Sequence, residues 1–189
     1  LDISSWQGDV DFKKIKDAGV EFVIIRVGGT RGTNGKYFLD SQFERNIKEA
    51  NKYDIDVGIY FYSYANSIKK AKKDAKWVLK QIKKYDVSLP IAFDWEEWAY
   101  FNEYNLSFFG LTSMADSFLK TIENHGYKGM LYSSKAYLDM IWMPLDYDIW
   151  LAHYTSKTNY EGKFKFWQLC DNGKIDGIDT DVDIDIMYK

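Results

Sequence analysis

The chain has 189 residues, 46% of them hydrophobic, and a net charge of -3, so it can bury a substantial core as one domain over residues 1–189 but lacks the basic surplus that nucleic acid or an anionic membrane surface selects for. Its one cysteine, Cys170, excludes an intrachain disulfide and a multi-cysteine zinc site, and no apolar run approaches membrane-spanning length. The aromatic share of 18%, with Trp 7, Tyr 15 and Phe 12, exceeds what a core needs and points to a ring-lined groove, for which sugars are natural guests.

The first residues, LDISSWQGD, lack the basic and apolar regions of a signal peptide; LDIS reads as a short first strand that carries Asp2. A helical period follows over 10–18, and Gly19 ends it. EFVIIRV (21–27) is the second strand, with Arg26 near its end. The next segment, VGGTRGTNG, lacks the G-x-G-x-x-G spacing of a nucleotide site. A helix over 40–53 leads to the third strand, VGIYFYSY (57–64), with Tyr62 near its end. The helix over 67–85 contains KKAKKDAKWVLKQIKK, whose Trp77, Val78, Leu79 and Ile82 fall at helical spacing, so the lysines form a solvated face.

The fourth strand, PIAFDWE (90–96), is too apolar for an edge, yet it ends in acids. Side chains alternate along a strand, which puts Asp94 and Glu96 on one face and Phe93 and Trp95 on the other. A helix over 107–125 leads to strand five, GMLYSS (129–134), carrying Tyr132, and a short helix over 134–140. Strands six to eight then crowd together: YDIWLAHY (147–154) with Trp150 and Tyr154, FKFWQLC (164–170) with Trp167, and DVDIDIM (181–187). In the last, Asp181, Asp183 and Asp185 share a face opposite the aliphatics. A calcium loop does not fit, because counting from Asp179 puts Ile184 where the turn glycine belongs. His153 reads as structural.

Five strands each followed by a helix, then three without, predict an α/β fold closed into an irregular TIM-like barrel of (β/α)5(β)3 type rather than an open doubly wound sheet. In such a barrel the first and last strands are neighbours, so Asp2 and Asp183 meet across the seam while Asp94 and Glu96 reach the same C-terminal mouth. Acids clustered with few histidines suit glycosidic bond hydrolysis, which needs one protonated carboxyl and one ionised partner; crowding raises at least one pKa and keeps the acid protonated. Metal hydrolases usually require histidine ligands, so no metal or other cofactor is expected. An inactive carbohydrate-binding barrel is the rival from another class.

DISSWQG (2–8), FDWEE (93–97), WLAHY (150–154), WQ (167–168) and VDIDIM (182–187) together resemble glycoside hydrolase family 25, the Chalaropsis-type lysozymes of bacteriophage endolysins and bacterial autolysins. The resemblance implies an N-acetylmuramidase that cuts the β-1,4 bond between N-acetylmuramic acid and N-acetylglucosamine. Its partner would be peptidoglycan glycan strands, its place of action the bacterial cell wall, and its default state a monomer. By motif, Glu96 is then the general acid. Asp94 is its partner, as nucleophile or by orienting the substrate's acetamido group, and Asp2 and Asp183 are the outer acids that shape the field of the cleft. Aromatics at strand ends, namely Tyr62, Tyr132, Trp150, Tyr154 and Trp167, are expected to form the sugar platform, with Arg26 as a counter-charge to the acids. One departure from the family pattern is Phe61, where other members carry a His after the Tyr.

Overall fold

The computed structural model describes residues 1–188. Its strands are β1 (Asp2–Ile3), β2 (Phe22–Thr30), β3 (Tyr37–Leu39), β4 (Asp56–Tyr62), β5 (Ile91–Asp94), β6 (Gly129–Ser134), β7 (Asp148–Ala152), β8 (Phe166–Gly173) and β9 (Val182–Met187). Five helices intervene: α1 (Phe12–Asp17), α2 (Phe43–Lys52), α3 (Ile68–Ile82), α4 (Phe108–Glu123) and α5 (Lys135–Met140). Among the described residues every strand except β3 joins a closed ring: β1 pairs with β2 in parallel and with β9 antiparallel, and the chain of pairings runs β2-β4-β5-β6-β7-β8-β9. The (β/α)5(β)3 barrel expected from the alternation is therefore present, with β7, β8 and β9 following one another without helices.

The sequence reading missed β3, which lies outside the ring, antiparallel to the end of β2. Its three residues are too few to display an alternation. Gly28 permits this close crossing: its φ is +148°, and a Cβ there would lie 2.1 Å from the Phe38 carbonyl oxygen. The register of β2 against β4 also shifts between Arg26 and Gly28, a bulge that bends the strand top.

Helix ends follow local chemistry. Ser67 caps α3 by accepting from the Lys70 amide, and Ser107 caps α4 by accepting from the Gly110 amide. On α3, Ala71, Ala75, Val78 and Ile82 are buried at helical spacing while most of the lysines face water. Most apolar side chains pack between the sheet and the helices, where Phe118 of α4 sits against Phe61 and Phe93 of two neighbouring strands. A side chain of that kind stabilises by about 2–3 kcal/mol. A second, smaller core of Phe22, Ile24, Ala92, Met130, Trp150 and Phe166 fills the barrel interior. This inner plug matters for the site, because it is the floor on which the acids stand.

Candidate active site

The C-terminal mouth of the barrel holds one pocket lined by Asp2, Asp94, Glu96 and Asp183, with Arg26, Tyr60, Tyr62, Tyr132, Trp150, Tyr154, Gln168 and Trp6 around them. The four acids come from the two ends and the middle of the chain. Asp94 is the last residue of β5, in register with Tyr62 on β4 and Tyr132 on β6, so those two rings flank it. Asp2 and Asp183 are Cα partners where β1 meets β9. Glu96 lies past the end of β5 rather than within it, in the turn before the 3-10 helix Trp98–Tyr100. It nevertheless lines the same pocket as Asp94 while remaining open to solvent.

Burial and mutual repulsion raise these carboxyls. Asp94 is pushed well above the usual range by burial and then by Glu96, with Arg26 opposing; its Oδ1 is buried and has no hydrogen-bond partner. Glu96 is raised by desolvation, by Glu97 and by Asp183. Asp2 is raised by burial and by Asp185 and Asp183, against a hydrogen bond from Gln168. Burial, with Asp185 next, pushes Asp183 up to about 6. The site thus holds protons on carboxyls at a pH where free ones have lost them.

Arg26 has a nearer partner than the acid cluster: its Nε and Nη2 donate to Asp40 Oδ2 at 2.8 and 2.6 Å, and Nη2 donates to Ser5 Oγ at 3.0 Å. Its charge still reaches Asp94, whose pKa it lowers. Asp40, buried at the entry to α2, was not singled out from the sequence.

Of the five expected platform rings, one lines the mouth only from its floor and one does not line it. Trp150 is 2% exposed and belongs to the inner plug, with Nε1 donating to Asp185 Oδ1 at 2.8 Å; it supports the floor of the pocket. Trp167 does not line the mouth, because β8 turns Phe166 and Gln168 inward and Trp167 therefore outward, where Nε1 donates to the His153 carbonyl at 2.9 Å. Tyr62, Tyr132 and Tyr154 do line it.

Three further residues belong to the site. Trp6 stands 77% exposed beside the acids, held by the capping box of Ser4 and Gln7; it lies inside the quoted DISSWQG, the signal that could have identified it. Glu97 is buried and accepts from Tyr62 OH at 3.3 Å. Gln168 is buried between Asp2 and the tyrosines. A second pocket adjoins the first, lined by Ser134, Lys135, Ala136, Ala152 and His153, and shares Glu96, Tyr132 and Tyr154 with it. His153 also holds Thr158 Oγ1 through Nδ1 at 2.9 Å. Glu96 therefore stands on the ridge between two hollows.

Residues 1–178 match the model of the glycosyl hydrolases family 25. The chain is 25% identical over 192 residues to the Escherichia coli K12 protein YegX, itself uncharacterized, covering 99% of this chain and 68% of that one. It is 27% identical over 188 residues to the autolytic lysozyme of Clostridium acetobutylicum, covering 98% of this chain and 54% of that one. Among solved structures, the modular autolysin LytC from Streptococcus pneumoniae, in complex with a synthetic peptidoglycan ligand, superposes with a TM-score of 0.86 at 29% identity over 100% of this chain. The chain spans 46% of that autolysin.

Proposed function

The chain belongs to family 25 of the glycosyl hydrolases, and from that premise we propose that it is an N-acetylmuramidase, a lysozyme that hydrolyses the β-1,4 bond between N-acetylmuramic acid and N-acetylglucosamine in bacterial peptidoglycan. The observation that carries the reading is the convergence of Asp2, Asp94, Glu96 and Asp183 on one mouth, with Glu96 on the ridge between two pockets. The autolytic lysozyme and the peptidoglycan-bound autolysin among its relatives support the substrate and the cell wall as the place of action.

In this reading Glu96 gives its proton to the glycosidic oxygen, and the bond to the departing sugar breaks as that oxygen becomes a hydroxyl. The groups that act most on Glu96 are acids, Glu97 and Asp183, which favours its protonated form. Asp94 is itself pushed up by burial and by Glu96, and Arg26 is the group that opposes this and favours a negative charge there. Asp94 faces the positive charge that develops on the sugar ring, either by bonding to it or by turning the substrate's acetamido group onto it. The two routes differ in whether a covalent sugar ester of Asp94 accumulates, which mass spectrometry of the intact protein reads. Trp6, Tyr62, Tyr132 and Tyr154 supply faces and hydroxyls for the glycan.

The test is digestion of purified peptidoglycan followed by mass spectrometry of reduced products. Muramic acid at the new reducing ends supports the proposal; glucosamine ends would make the enzyme a glucosaminidase, and uncut strands would make it a binding module.

A further inference from the structure

Resting on that reading, we propose that Gln168 is a positioning residue that locks the two tyrosines of the catalytic ridge to Asp2. Gln168 lies on β8, 4% exposed, beneath the wall between the two pockets. Its Nε2 donates to Asp2 Oδ2 at 2.8 Å. Its Oε1 accepts from Tyr132 OH at 2.9 Å and from Tyr154 OH at 3.2 Å. One amide therefore joins β1, β6 and the segment that follows β7.

The orientation of the amide follows from its partners. A carboxylate oxygen accepts, so the NH2 side faces Asp2, and the carbonyl side is left for the hydroxyls. Both phenol protons are then directed inward to Gln168, and Tyr132 and Tyr154 meet the pockets with their lone pairs. They offer the substrate acceptors, and so read its hydroxyl or amide N–H groups. Glu96, Tyr132 and Tyr154 are the residues common to both pockets. A bond to be cut by Glu96 lies across that ridge, so Gln168 fixes two of the three side chains that set its position. Displacing reacting groups by about 1 Å can cost on the order of 100-fold in rate.

Gln168→Met keeps the length and volume and removes the amide. It is expected to lower kcat/KM on peptidoglycan about 10- to 100-fold with a cooperative unfolding transition retained. A purely structural role could do the same by reducing the folded fraction, so the deciding readout is a double-mutant cycle with Tyr154→Phe. If Gln168 acts through the ridge, Tyr154→Phe is costly in the wild type but costs less than about twofold once the amide is gone. Gln168→Glu keeps an oxygen for both hydroxyls but sets a carboxyl against Asp2, so this arm is read at about pH 4, where a proton takes the place of the lost N–H; Tyr154→Phe should there cost its full wild-type factor, and this arm decides the matter if the Met variant fails to fold. Multiplicative costs in the Met background, or vanished coupling in the Glu background, overturn the proposal. The same cycle is read in binding of tetra-N-acetylchitotetraose by tryptophan fluorescence. A wild type that does not cut peptidoglycan therefore refutes the muramidase reading while the binding cycle still decides the role of Gln168.

Discussion

Asp2 and Asp183 face each other at the seam where β1 meets β9, the contact that closes the barrel. Joining the two ends of the sheet thus brings two like charges together, in a place where burial already disfavours them. Burial and then Asp185 push Asp183 up to about 6, while a hydrogen bond with Asp2 opposes them. A carboxyl whose folded pKa lies above its unfolded value of about 4 stabilises the fold below that value, and the contribution is lost as pH rises through the folded pKa. Stability from Asp183 is therefore expected to fall between about pH 4 and pH 7. Asp183→Asn should melt close to the wild type at about pH 4 and above it at about pH 8. Calorimetry at the two pH values checks this, and parallel pH dependences in both proteins would contradict it.

Glu96→Gln removes the carboxyl proposed as proton donor from a side chain that solvent already reaches. Lysis of purified cell walls should drop about 100- to 10,000-fold with the melting temperature no lower than the wild type's. Glu97→Gln tests the tuning of that donor. Glu97 is the strongest charged influence on Glu96 after desolvation and raises it; without that repulsion Glu96 loses its proton at lower pH. The alkaline limb of the kcat profile should therefore move toward acid, and a limb that stays in place or moves the other way would falsify the assignment of Glu96 as the acid.

Trp6 is 77% exposed and is held from below by backbone and side-chain bonds of the Ser4–Gln7 turn. An indole so exposed contributes little to folding, but it offers a face for a sugar ring at the edge of the acid pocket. Trp6→Ala is expected to weaken binding of glycan oligomers about 5- to 20-fold, a loss of roughly 1–2 kcal/mol of buried apolar contact, while the unfolding midpoint stays put. Titration by isothermal calorimetry decides; wild-type affinity would remove Trp6 from the platform.

Strand parity is a local property, so it made Asp94, Asp183 and Asp185 legible; Asp181 precedes β9, and Glu96 reaches the pocket from the turn beyond β5, where parity does not apply. Barrel closure was legible too, since five helices and then three bare strands leave few alternatives. Parity also held the correction for Trp167, because once Phe166 and Gln168 face inward the residue between them cannot. Trp150 is a different matter. It does point inward, but its depth below the mouth depends on the register of β6 against β7, where Tyr132 pairs with Trp150, and register is not written in either strand alone. The role of Gln168 was equally hidden, because its partner Asp2 lies 166 positions away.

Arg26 and Asp40 offer a last test, because they separate what supports the site from what reacts in it. Asp40 Oδ2 accepts from Arg26 Nε, Arg26 Nη2 and the Ser5 amide at 3.1 Å, and Oδ1 accepts from the Gln42 amide at 2.9 Å. The carboxylate thereby ties β2 to the Ser5–Gln7 turn that carries Trp6 and to the start of α2. Removing it as Asp40→Ala leaves a largely buried guanidinium with Ser5 Oγ as its remaining side-chain partner, a loss expected to cost about 3 kcal/mol. The freed arginine also has the nearby carboxyl of Asp94 to turn toward, which would compete with substrate there. Asp40→Asn keeps acceptor capacity at one oxygen and should recover part of the stability. Denaturant unfolding of the two variants gives the ordering: Ala below Asn below wild type supports the tie, and equal midpoints for all three would show that Arg26 is held by something other than Asp40.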